Sequence, residues 1–78
     1  MRYRVHTLSG SIYIIDTDAL TWERNNPKIG ILGYDKSRGE MTSLFPIILG
    51  ESMRIPIINE EGPSVIHTTP VQWAGVIE

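Results

Sequence analysis

His6, His67 and the run Asp16-Thr17-Asp18 are the residues whose types can hold a metal or move a proton. If the segments carrying the two histidines pair as strands, the imidazoles face each other. A metal would still need a third ligand, and Asp16 or Asp18 is the nearest acidic supply. Asp-x-Asp holds a divalent cation beside a phosphate only with further oxygen ligands and a basic residue. A strand end followed by a turn, with aspartate accepting from local N–H groups, accounts for the run more simply. Gly30-Ile31-Leu32-Gly33 has the spacing of some phosphate-clamping loops, but those precede a helix N-terminus and no helix is predicted here. Ser9, Ser11, Ser37, Ser43, Ser52 and Ser64 fall in predicted turns and strands with no nucleophile elbow around them. The sequence therefore predicts no catalytic centre, no metal and no cofactor.

Recognition chemistry is better represented. Arg2, Arg4 and His6 alternate along the first predicted strand and share its outward face, where they can meet a carboxylate or phosphate or simply solvate an edge. Trp22 and Arg24 repeat the aromatic-cation pairing, and Tyr34 and Trp73 add two more large amphipathic rings. Tryptophan and arginine are the residue types most enriched at interface hot spots. Arg2, Arg4, His6, Trp22, Arg24, Tyr34 and Trp73 are the candidate binding residues, with Trp22 or Trp73 expected in an exposed apolar patch.

Seventy-eight residues make room for one domain spanning 1–78, and the net charge of −2 gives no basic footprint for nucleic acid. With no cysteine, disulfides and a structural zinc are not available to reinforce a small core. The runs Tyr13-Ile14-Ile15, Ile47-Ile48-Leu49 and Ile55-Pro56-Ile57-Ile58 are dense for so small a body. They either fill a barrel interior or point to a homo-oligomer. No stretch has signal-peptide or membrane-spanning length, so the expected location is cytoplasmic, away from any membrane.

The elements that position these residues read as strands. Arg2 to Thr7 and Ser11 to Asp16 form a hairpin about Gly10. Residues 18–24 read as a strand, with Leu20, Trp22 and Arg24 on one side, in preference to a short helix. Ile29 to Tyr34 is a candidate strand, Asp35 to Gly39 a polar turn, and Glu40 to Phe45 a returning strand. Glu51 to Ile58 follows, with Met53, Ile55 and Ile57 inward and Pro56 at an edge or bulge. After the loop Asn59–Pro63 come a strand from Ser64 to Thr69, an interruption at Pro70, and a last strand from Val71 with Trp73 on the same side. Turns every eight to twelve residues and no amphipathic helix predict an all-β fold: a small closed or partly open antiparallel barrel, SH3-like, with an OB-like Greek-key barrel as the alternative.

The opening Arg2-Tyr3-Arg4-Val5-x-Thr7-x-Ser9-Gly10-Ser11-x-Tyr13-x-Ile15-Asp16, the later Thr21-Trp22-x-Arg24 and the ending His67-Thr68-Thr69-Pro70-Val71 resemble short uncharacterised all-β proteins of actinobacteria and their phages. The resemblance covers about half the chain and brings no catalytic residues. It implies a phage accessory protein that binds a host protein or captures a host signalling molecule. The expected function is a non-enzymatic protein–protein interaction module whose partner is another protein or a second copy of itself. Alternatives are an oligomeric binder of a small ligand or nucleotide and, against the acidic balance, a single-stranded nucleic-acid binder.

Overall fold

The computed structural model describes residues 1–25 and 37–77. The predicted strand Ile29–Tyr34, the glycine pair at 30 and 33, and the candidate Tyr34 lie outside them.

The described residues are all-β, and six antiparallel strands among them form a nearly closed barrel of the small SH3-like or OB-like kind. In chain order these are β1 (Arg2–Thr7), β2 (Ile12–Asp16), β3 (Thr21–Asn25), β4 (Ser37–Glu40), β5 (Ser52–Asn59) and β6 (Gly62–Val76). Their lateral order is β4-β3-β2-β1-β6-β5. The long β6 is the pivot, pairing with β5 through its first part and with β1 from Val71 onward. The two ends of the sheet approach where the Thr42 N–H donates to the Pro56 carbonyl at 2.9 Å.

Alternation explains the inner face. Val5 pairs with Tyr13 and Tyr3 with Ile15, so the odd positions of β1 and β2 meet inside. Ile55 sits across from Ile66 on the β5–β6 hairpin. Val5, Tyr13, Ile15, Met41, Met53, Ile55 and Val71 form the core, with Tyr3, Leu20, Trp22, Phe45 and Ile57 among those packed around it.

The β1–β2 hairpin lies where alternation predicts, closed by a turn in which Gly10 takes a φ of +89°. Residues 21–25 are strand and not helix, with Trp22 and Arg24 on one face, although Leu20 belongs to the preceding turn at a φ of +54°. Four expectations are corrected. The strand expected over Glu40–Phe45 lies instead at Ser37–Glu40, within the stretch read as a polar turn. It pairs with β3, and its Gly39 leaves space for the Trp22 ring: a Cβ there would stand 3.1 Å from the indole Nε1. The Asn59–Pro63 loop is a tight turn at Glu60–Glu61, with Gly62 and Pro63 already paired to β5. Pro70 does not interrupt the last strand, because its carbonyl accepts from the Leu8 N–H at 2.9 Å where β6 changes partners from β5 to β1. Ile48 and Leu49, from one of the runs dense enough to fill a barrel interior, are instead exposed.

The Asp16-Thr17-Asp18 run is the strand end and turn that local chemistry predicts. The Asp16 carboxylate accepts the N–H groups of Asp18 and Ala19, both at 3.0 Å. The Ala19 bond holds its pKa below the usual carboxylate range; the Asp18 N–H, the N-terminal ammonium and Arg2 act in the same direction, against an opposing desolvation effect. A carboxylate whose folded pKa is depressed contributes stability that is fully present above its unfolded pKa of about 3.9 and is lost as pH falls through the folded value. Asp16→Ala is therefore expected to lower stability at neutral pH, with a difference from the native chain that shrinks progressively below about pH 4. Denaturation midpoints measured against pH check this, and a pH-independent difference would assign Asp16 no such role.

Candidate functional site

The outer face of β1–β4 collects the polar chemistry. Because Val5, Tyr13 and Ile15 point inward, Arg4, Ile12, Ile14 and their cross-strand mates point out. One row across the four strands runs Arg4, Ile14, Glu23, Arg38; the next runs His6, Ile12, Asn25; and Arg2, Asp16, Thr21, Glu40 make a third. Arg4, Ile12, Ile14, Glu23, Asn25 and Arg38, together with Arg24, line a hollow of about 440 Å³. Its floor is aliphatic and its rim carries charge of both signs. Among the described residues, neither arginine of the central row forms an ion pair with Glu23, so all three charged groups are available to a ligand.

Beside β1 the site is extended by Trp73. The β1–β6 register shifts between His6 and Thr7, which pair with Trp73 and Val71, so Gln72 is the extra residue of a bulge. Val71 consequently points into the core while Trp73 turns out, which corrects the expectation that they share a side. The indole stands edge-to-face with His6, ring centroids 5.2 Å apart and planes at 77°. It also lies over Gly75, where a Cβ would be 2.7 Å from the ring. Trp73 is 49% exposed, a large ring held in place yet open to solvent.

No protein-family model, curated protein or solved structure matches this chain. The site is therefore interpreted from its own geometry.

Of the candidate binding residues, Arg2, Arg4, His6 and Trp73 are brought together on this outer face. Trp22 is not: its cross-strand mate is Ile15, which places it on the inner side, whereas Arg24, although opposite Tyr13 in register, lines the hollow. Trp22 packs against the core, and its buried indole Nε1–H has no acceptor among the described residues. The expected exposed patch therefore holds Trp73 and not Trp22. The two histidines do not face each other, because His67 lies opposite Arg54 on the β5–β6 hairpin while His6 lies opposite Trp73. Among the described residues no three His, Asp or Glu side chains gather as metal ligands, and no helix is long and apolar enough to cross a membrane.

Sequence reasoning missed Ile12, Ile14, Glu23, Asn25 and Arg38. The alternation of β2 could have shown Ile12 and Ile14 opposite Tyr13 and Ile15. Arg38 and Glu23 become neighbours only through the β3–β4 register, which no local pattern discloses.

Proposed function

We propose that this chain is a non-enzymatic binding module that takes a segment of another protein on the outer face of β1–β4. The observation that carries this reading is the combination of an aliphatic floor, Ile12 and Ile14, with charges of both signs, Arg4, Arg38 and Glu23, that form no ion pair among the described residues, and a half-exposed tryptophan at one side. Arg2, Arg4 and Arg38 are balanced on this face by Asp16, Glu23 and Glu40. A phosphate backbone requires a positive excess; a polypeptide with side chains of both charges complements a balanced surface. Trp73 supplies the rigid anchor that interface hot spots favour.

A small ligand is the second reading, favoured by the volume of the hollow, which falls in the range of small-molecule sites. One experiment separates the two. A photo-crosslinking amino acid is placed at Ile14, and a control at Glu61 in the β5–β6 turn, in cells that express the chain. The protein-binding reading predicts discrete adducts from position 14 that are absent from position 61. Arg38→Glu and Gly75→Ala should deplete them, the second by forcing the Trp73 ring off its seat. Trp73→Ala should weaken the complex by about 30-fold, equivalent to ~2 kcal/mol. No adduct beyond the control, with a small molecule recovered from the native protein by mass spectrometry, would establish the second reading in its place.

A further inference from the structure

The β5–β6 hairpin has one protected edge and one open edge. Thr42 donates to the Pro56 carbonyl, so the backbone polar groups of Pro56 look away from β6. In an antiparallel pair such a residue faces a mate that looks away in turn. Val65, the mate of Pro56, therefore directs its N–H and C=O away from β5, and so do Pro63 and His67 two residues either side. On that side β1 joins only from Val71. At the root of the hairpin the Leu8 N–H reaches the Pro70 carbonyl and the Ser9 N–H reaches Thr69 Oγ1 at 3.0 Å. Among the described residues no hydrogen bond reaches Val65 or His67 from that side.

Natural edges are usually blunted by charge, by proline or by a covering segment. The β5 edge has Pro56 and the Thr42 contact. The β6 edge from Gly62 to Thr69 contains no Asp, Glu, Lys or Arg, and its only proline stands at one end. Val65 is 44% exposed and the neighbouring Ile58 is 68% exposed.

We propose that this edge pairs with the same edge of a second copy, antiparallel about a two-fold axis at Val65. The register is self-complementary. Val65 exchanges both backbone hydrogen bonds with its own symmetry mate, and each His67 N–H meets the Pro63 carbonyl across the axis. Both open donors of each copy are satisfied, and the missing N–H of Pro63 leaves only the His67 carbonyl to water. An edge with one sign of charge would repel its own copy; this uncharged edge does not. The outer side chains of Ile58, Pro63 and Val65 then form one apolar row running through the axis. This interface is separate from the outer face of β1–β4 and stands or falls independently of it.

Light scattering across a dilution series, on the full chain and on Val65→Pro and Val65→Lys, tests the proposal. Proline at 65 removes an N–H that no bond among the described residues uses, at a position equivalent to Pro56 and Pro63. Lysine keeps the N–H and sets two like charges across the axis. The native chain is expected at twice the chain mass, dissociating on dilution, with the Val65 and His67 amides exchanging at least tenfold more slowly in the dimer. Each variant, verified as folded by circular dichroism, is expected as a monomer at concentrations at least tenfold above the native midpoint. A native chain monomeric throughout the series, or a dimer that survives in both folded variants, would overturn the proposal. If Val65→Pro fails to fold, Val65→Lys and the native amide exchange decide.

Discussion

Ile55→Ala is expected to lower the melting temperature by roughly 8–40 °C. Ile55 has no solvent exposure and sits on the inner face of β5 across from Ile66, within the core formed with Val5, Ile15 and Met53. Truncating a buried isoleucine to alanine costs about 2–5 kcal/mol, the spread reflecting how far the cavity collapses. A folded domain of this length holds about 4–12 kcal/mol in total, so one substitution removes a large share of it. At about 4–8 °C per kcal/mol for a small domain, the stated range follows. Ile58→Ala, three residues along the same strand on a side chain 68% exposed, is the matched control and, melted at a concentration where the chain is monomeric, should change stability by no more than about 0.5 kcal/mol. Thermal melts of the two variants compare them directly. Equal losses would mean that β5 does not present alternate faces to core and solvent as described.

That contrast within one strand is also where sequence and structure agree best. Met53, Ile55 and Ile57 were expected inward from period-two alternation alone, and Met53 and Ile55 are fully buried. The β1–β2 hairpin was legible for the same reason, with a glycine at the turn position that needs positive φ. Alternation fails where a strand does something other than run straight through a sheet. Glu40–Phe45 alternates, yet Met41 donates to the Leu20 carbonyl and Thr42 to Pro56, so this segment leaves β3 to close the barrel. Ser37–Glu40 has no apolar pattern, because a strand beside a tryptophan ring needs a glycine more than it needs aliphatic side chains.

The site follows the same logic. Arg2, Arg4 and His6 share an outward face by simple alternation and were placed correctly relative to one another. Trp73 reaches that face because the bulge at Gln72 moves the register by one residue, which reverses the direction of every side chain beyond it. Trp22 turns to the core instead, since a half-buried aromatic strand reads the same from either side. Registers between strands distant in sequence, and the bulges that alter them, are tertiary facts, and they determine which charges become neighbours.

A second bulge leads to the other large expected effect. Between Ser52 and Arg54 the β5–β6 register shifts, and Thr68 fills the gap: its buried Oγ1 accepts the Met53 N–H at 2.9 Å and donates to the Thr69 carbonyl at 2.7 Å. One hydroxyl thus stands in for a ladder bond beside a methionine that is itself fully buried. Thr68→Val keeps the shape and the β-branching but removes the oxygen, leaving the Met53 N–H buried without an acceptor. An unsatisfied buried donor costs about 1–3 kcal/mol, and the methyl group recovers little because the lost partner is backbone. The expected fall in melting temperature is roughly 5–20 °C, with the Met53 amide passing from slow to fast hydrogen exchange. Thr68→Ser restores the oxygen without the methyl and should return most of the amide's protection. If valine leaves the Met53 amide protected, water or a shifted carbonyl has replaced the hydroxyl, and the bulge is held by the backbone alone. If serine fails where valine fails, the methyl packing against the core is the contribution that matters. The pair of variants therefore separates the hydrogen bond from the packing at the point where β6 turns from one partner strand to the next.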